Sequence, residues 1–300
     1  MWSWLTRAEH HTRIGRRSLT GPESDRYDFC GPMSRIAVVA LTLLALGSFT
    51  VDAQRASKRA TPPAPPRAAA PRSERVVPFK IGETLTYDVS WSTFLTAGTA
   101  VTTVKEKKPS FNSTAYYIVA EGRPTPIVAK LYTIYYKLDT LLDSYTLLPQ
   151  RGTVYSEEGG KRRFKVSRFD HAARRVAFEY ESTNKASDNF PIPPYTQDVL
   201  SAIYVLRAVP LKAGDVITMP VTDDGSNYKL QVNVGAAERV KIPLGDASAW
   251  KLKLSIFDAT GRPQGRNVAM WLSDDPRRLP MKFQAELPVG TFNLNLREVR

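Results

Sequence analysis

Along most of the last 225 residues, apolar and polar side chains alternate with a period of two. Leu85, Tyr87, Val89 and Trp91 share one parity, and Thr84, Thr86, Asp88 and Ser90 the other, which predicts a strand with one face buried. Phe164 and Val166 alternate with Lys165 and Ser167, and Val176, Phe178 and Tyr180 with Ala177 and Glu179. The pattern returns at 228–234, 250–257, 268–272, 281–287 and 291–296. Turn formers separate these runs: Glu158-Gly159-Gly160, Asp223-Asp224-Gly225-Ser226, Gly261-Arg262-Pro263 and Ser273-Asp274-Asp275-Pro276. Many short strands joined by tight turns predict antiparallel meanders, as an open barrel or a sandwich-like pair of curved sheets.

One segment departs from this period. From Tyr195 to Arg207, Val199, Leu200, Ile203 and Leu206 recur at the spacing of one helical face. Asp198 stands in the first turn, where it suits the helix dipole, and Pro210 stops the run. The expectation is a mainly β fold with a single central amphipathic helix, about seven strands before it and seven after. That helix would pack on the sheet or fill its mouth.

The first 75 residues read differently. Met33-Ser34-Arg35, the apolar run Ile36–Leu46 and Val51-Asp52-Ala53 have the basic head, short hydrophobic middle and small-residue cut site of a secretory signal. The apolar run is shorter than the ~20 residues that a spanning helix needs. Residues 33–53 are therefore read as a Sec-type signal peptide cleaved near Ala53, and residues 1–32 as a non-native N-terminal extension ahead of the true start. Residues 54–75 are rich in Pro, Ala and Arg, and their composition predicts a disordered linker. Residues 76–300 form a single β-rich domain in this reading, and the localisation is periplasmic or secreted.

Charge adds a nuance. Residues 76–300 carry 30 Lys and Arg against 23 Asp and Glu, a net +7 of the chain's +13. The linker holds six basic residues against Glu74 alone. Such a tether spaces the domain from the membrane or rests on its anionic surface. Export makes nucleic acid an unsuitable partner, which leaves lipid, glycan or another envelope protein.

Beyond residue 53 there is no Cys and one His, His171. Disulfides, a Cys nucleophile and a Cys/His zinc site are excluded there, and no metal or cofactor is expected. A Ser-His-Asp triad could use only His171, which Asp170-His171-Ala172-Ala173 places in a hairpin turn.

Three phrases, in order, carry a resemblance: Gly82-Glu83-x-Leu85-x-Tyr87 with Trp91 and Ala97-Gly98; Gln197-Asp198-Val199-Leu200-Ser201-Ala202-Ile203-Tyr204-Val205-Leu206-Arg207; and Trp271-Leu272-Ser273-Asp274-Asp275 with Arg278-Leu279-Pro280. In these the chain resembles the exported bacterial domain-of-unknown-function family number 3108, over about 76–300. The resemblance implies an envelope protein with a curved antiparallel sheet and one helix, similar in outline to the open barrels of lipoprotein carriers. It brings no activity and no catalytic residue.

Candidate chemistry is sparse. Asp139 and Asp143, four apart on one strand, would lie about 13 Å apart, wider than the ~5–9.5 Å between glycosidase carboxyls. Asp274-Asp275 before Pro276 suits a hairpin that uses its carboxylates as acceptors. Lys161-Arg162-Arg163 with Arg168 reads as a solvated strand edge. Aromatic side chains are the better candidates, and Trp91, Tyr132, Tyr136 and Tyr204 are the expected ligand-binding wall, with ordinary β-core packing as the plain alternative. The favoured function is a non-catalytic periplasmic envelope protein that holds an apolar or glycan ligand in a concave sheet. The alternatives are a carboxylate-dependent enzyme acting on envelope carbohydrate, and a structural adaptor.

Overall fold

The computed structural model describes residues 72–92, 95–287 and 290–300. The expected extension, the signal peptide and all of the linker before residue 72 lie outside the described residues. The end of that linker is docked: the Arg75 amide donates to Ser144 O at 2.8 Å, and Glu74 accepts from Ser144 Oγ at 3.0 Å and pairs with Lys107.

Among the described residues, fourteen strands make one antiparallel sheet. Eight precede the long helix: β1 (Thr84–Trp91), β2 (Leu95–Ser110), β3 (Ser113–Pro124), β4 (Ile134–Asp143), β5 (Pro149–Glu158), β6 (Lys161–Asp170), β7 (Arg175–Glu181) and β8 (Lys185–Pro191). Six follow: β9 (Val216–Asp223), β10 (Ser226–Ile242), β11 (Gly245–Asp258), β12 (Pro263–Ser273), β13 (Pro280–Leu287) and β14 (Gly290–Val299). The expected seven and seven is thus eight and six. A short helix not anticipated from the sequence, α1 (Pro126–Leu131), joins β3 to β4, and the long helix is α2 (Val199–Ala208).

Neighbouring strands in space are neighbours in sequence, with one exception. The sheet runs β8-β7-β6-β5-β4-β3-β2-β1-β14-β13-β12-β11-β10-β9, so β1 pairs with β14 and joins two meanders. Its free edges, β8 and β9, flank the α2 segment in sequence. They do not pair, but the seam between them is stitched. Gln197 bridges onto β9 through Gln197 N to Pro220 O and Thr222 N to Gln197 O, both 2.9 Å. Asn227 Nδ2 donates to Pro191 O at 2.8 Å, and Lys165 Nζ lies 2.6 Å from Asp224 Oδ1.

That last contact corrects the reading of β6. The strand is third from the edge rather than an edge, and Phe164 is exposed while Lys165 is buried. Its Arg side chains face carboxylates of neighbouring strands instead of blocking an edge: Arg163 to Glu158 at 2.8 Å and Arg168 to Glu179 at 2.5 Å. The edge strand β8 is protected by its own exposed Lys185, Ser187, Asp188 and Asn189.

Helix α2 begins at Asp198, whose carboxylate accepts from Ser201 N at 2.7 Å while Ser201 Oγ accepts from Asp198 N at 2.9 Å, a reciprocal cap. Of the one face that the sequence indicated, Val199, Leu200 and Leu206 are buried and Ile203 is partly buried, yet Ser201, Ala202, Tyr204 and Arg207 are buried as well. The reason is that two halves of the sheet close on the helix from both sides. Val199, Ala202 and Leu206 pack with Val221, Leu230, Val232, Leu252 and Met270 of β9–β12. Leu200 and Tyr204 pack with Phe79, Val104, Ile118 and Leu142 ahead of and within β2–β4.

The C-terminal turn of α2 holds the most constrained contact. Arg207 Nη1 and Nη2 donate to the two Glu83 carboxylate oxygens at 2.6 and 2.9 Å. Its Nε and Nη2 also donate to Arg278 O and Arg277 O, each at 3.1 Å, and the guanidinium lies over the rings of Phe79 and Tyr204. Both partners are buried. One side chain therefore ties α2 to the start of β1 and to the β12–β13 turn.

Removing one member of a buried pair strands the other charge, which costs ~3–5 kcal/mol. Glu83→Ala is expected to lower the stability by that amount in urea unfolding. Arg207→Lys should fail to preserve stability, since an ammonium cannot reproduce the forked contacts. Glu298→Ala, at the exposed Arg300–Glu298 pair, should cost less than ~1 kcal/mol. A Glu83→Ala loss no larger than that of Glu298→Ala would refute the role given to the buried pair.

Candidate functional site

Inward-facing positions near one end of the sheet carry small side chains, Ala100 on β2 and Ala120 and Gly122 on β3, while Gly98 marks a close backbone approach, where a Cβ would stand 2.3 Å from Arg123 O. A Cβ built at Gly122 would meet only Tyr136 Cβ, at 3.9 Å. The space they leave is a cavity of about 300 Å³, the lower end of the ~300–1,000 Å³ range of ligand pockets. Its walls come from Tyr87 and Val89 of β1, Leu138 of β4, Leu254, Val268 and Met270 of β11–β12, Phe283 of β13, and Phe292 and Leu294 of β14. Val199, Leu200, Ile203, Tyr204 and Leu206 of α2 line its inner side, and Val128 of α1 its outer end. Polar lining side chains are few, among them Thr102, Glu121, Arg123 and Gln284.

The four aromatic candidates divide. Tyr136 and Tyr204 line the cavity. The Tyr204 hydroxyl is buried near Thr102 and Arg207 without completing a hydrogen bond, and burial pushes its pKa up to about 12, so it stays a neutral donor. Trp91 stands one step beyond the lining, its indole stacked on Phe292 at 6.0 Å with 5° between the planes. Tyr132 follows α1 and its ring lies beside Gly159, whose φ is +54° and where a Cβ would stand 3.0 Å from the Tyr132 hydroxyl. Period-two reading found aromatic residues but could not foresee Phe283 and Phe292 as their partners, because which inward positions share a cavity depends on register across β1, β14 and β13. The small inward residues of β2 and β3 were the sequence signal for a cavity.

The carboxylates considered for catalysis are occupied structurally. Asp139 accepts from Arg151 Nη2 at 3.1 Å and from Thr153 Oγ1. Asp143 accepts from Tyr145 N at 3.0 Å and from Thr146 N at 2.8 Å; burial raises its pKa, but these hydrogen bonds outweigh that and hold it below the ordinary value. Asp275 accepts from Arg277 N at 2.7 Å, and Asp274 from Trp250 Nε1 at 2.6 Å. His171 sits in the β6–β7 turn, its Nε2 2.8 Å from Pro149 O and its ring stacked on Phe169. None of these groups lines the cavity.

Comparison with known proteins supports the fold. The family model described as "Protein of unknown function (DUF3108)" matches residues 86–297. No curated protein matches the chain. Among solved structures, a β-barrel-like protein of the domain of unknown function DUF1849 from Brucella abortus aligns with TM-score 0.50 at 10% identity, covering 76% of this chain and 99% of that one. A protein from Bacteroides fragilis, provisionally described as exported with a YmcC-like fold, aligns with TM-score 0.33 at 13% identity over 76% and 100% of the two chains. One from Parabacteroides distasonis, provisionally described as a lipoprotein, gives 0.32 at 9% identity over 76% and 100%.

Behind α2 the seam is polar. Asp198 is buried, accepts from Thr140 Oγ1 at 2.6 Å and from Ser201 N, and shares a recess with Lys165, Thr222, Asp223 and Asp224. Burial raises its pKa to about 6, against the hydrogen bonds, which lower it. Between about pH 4 and pH 6 the folded state therefore holds a proton on Asp198 that an unfolded Asp, with pKa ~3.9, has released. This contribution is fully present below about pH 4 and is lost as pH rises through about 6. Relative to Asp198→Asn, which keeps a capping oxygen, wild type should lose ~2–3 kcal/mol of stability between pH 4 and pH 7. Urea midpoints at the two pH values measure it, and parallel pH profiles for the two proteins would contradict it.

Proposed function

Because the chain belongs to this family of unknown function, DUF3108, its role must be argued from its own site, and we propose that it is an exported, non-catalytic protein that holds the apolar portion of an envelope ligand in the cavity. The observation that carries this reading is the apolar lining, contributed by both halves of the sheet and by α2. Sugars need many hydrogen-bonding groups in their sites, and burying their hydroxyls against Leu, Val, Met and Phe would leave them unsatisfied. An acyl or other hydrocarbon chain meets no such cost and gains about 25 cal/mol for each Å² of apolar surface removed from water. Of the two ligand chemistries the sequence left open, the lining favours the apolar one.

Export rests on the signal-like segment 33–53. Among the described residues no helix is long and apolar enough to cross a membrane. The enzymatic alternative loses support from the carboxylates, since Asp139, Asp143, Asp274 and Asp275 are engaged in turns and strand contacts away from the cavity.

The protein is expected to bind an environment-sensitive naphthylamine dye and to release it to long-chain fatty acids. Gly122→Phe places a ring in the open space beside Tyr136 and should weaken dye binding by about tenfold or more while leaving unfolding two-state. Dye bound equally well by Gly122→Phe and wild type, or not bound by either, would count against a cavity carrier.

A further inference from the structure

Scattered apolar side chains on a surface need no explanation, but a contiguous group beside the mouth of an apolar cavity does. Helix α1 has no buried residue; Ile127 and Leu131 are 74% and 82% exposed, and Tyr132, its C-cap, is 50% exposed. On the same helix Val128 lines the cavity. Backbone hydrogen bonds tie both ends of the helix to neighbouring elements. Its N-cap residue donates from Thr125 N to Ala97 O at 2.9 Å, at the start of β2, and Gly159 N in the β5–β6 turn donates to Thr133 O at 2.9 Å just past its end. Helix α1 is therefore part of the rim, with its apolar side chains turned outward.

The charges beside it are mainly basic. Arg123 and Arg162 are paired with Glu121 and Glu157, at 3.3 and 3.5 Å, while Lys130 in the last turn of α1 and Lys161 in the hairpin beside Tyr132 are exposed and carry the local excess. Aliphatic side chains on one side of a short helix, a ring with a polar tip, and lysines able to extend to the flanks make up an interfacial surface for an anionic bilayer.

We propose that the rim formed by α1, Tyr132 and the β5–β6 turn docks on an anionic lipid bilayer, with Ile127 and Leu131 entering the headgroup–acyl boundary and the cavity mouth facing the membrane. This rests on the carrier reading for its purpose, since a lipid leaving the bilayer would then enter an apolar cavity without crossing water. It does not rest on that reading for its geometry. A protein partner would be favoured instead by a response that needs protein rather than lipid.

The test uses the exported form expected from the sequence, from Gln54 on, which contains no cysteine of its own. A nitrobenzoxadiazole label is attached at Leu131→Cys or, as a control at the opposite end of the strands, at Leu244→Cys, where Leu244 N donates to Leu296 O and the side chain is 48% exposed. With vesicles of equal phosphatidylglycerol and phosphatidylcholine, the label at 131 should shift to the blue and brighten about twofold or more, and the label at 244 should not. Phosphatidylcholine alone should give a weaker response, and Ile127→Ser should reduce the response at 131 without affecting retention of the naphthylamine dye. Equal responses at 131 and 244, none at 131, or one at 131 only with a lipid-free envelope protein extract would overturn membrane docking. Vesicle binding by a protein that retains no dye would instead leave docking intact and remove the carrier reading.

Discussion

The structure depends on the buried Arg207–Glu83 pair. A sheet that leaves its edges β8 and β9 unpaired has no continuous ladder to hold it curved, so its curvature must be fixed from inside. Helix α2 does so by presenting aliphatic side chains to both halves of the sheet. Apolar packing alone would let a helix rotate or slide at modest cost. The guanidinium, with its two carboxylate and two carbonyl partners, allows one position along the axis and one rotation about it. Buried pairs of this kind add little net stability compared with apolar replacements, and specification of geometry is the role their placement here supports.

At its other end the helix is held as closely. Asp198 is both the N-cap and the partner of Thr140, and Gly152 leaves room for it: a Cβ there would stand 3.0 Å from Asp198 Oδ2. Gln197, one residue earlier, continues the main chain as a short parallel bridge onto β9. The same segment therefore caps a helix, covers a sheet edge and contributes to a polar recess. That concentration of tasks explains why the carboxylate stays buried despite the desolvation that raises its pKa.

The cavity follows from these constraints. With α2 fixed at both ends, side chains on its inner surface cannot move to fill the space opposite the small residues of β2 and β3. Protein interiors normally close-pack, so an apolar void of this size persists where rigid elements hold its walls apart. The mouth opens at the end of the sheet where α1 turns its apolar side chains outward, and the Arg207 end is closed by Phe79, Tyr116 and Tyr204 packed edge to face.

Period-two alternation, the turn formers between the runs, and the single helical segment before Pro210 were enough to determine a mainly β antiparallel fold around one long helix, because each depends on neighbours close in sequence. Composition likewise excluded thiol chemistry after residue 53. Short α1 left no apolar period to read, since none of its side chains is buried. The facing of β6 was misjudged because Phe164 is exposed and Lys165 is drawn inward by Asp224, a contact across the seam that no local pattern encodes. The phrases around Glu83, Arg207 and Arg278 were visible as a family signature, but 124 residues separate the first two. Only the closing of the sheet around α2 brought them together. Tyr136 and Tyr204 came to line one cavity, and Trp91 and Tyr132 to lie beyond its lining, for the same reason: strand register and helix placement are set by long-range packing, whereas the sequence determines only which side chains are available to it.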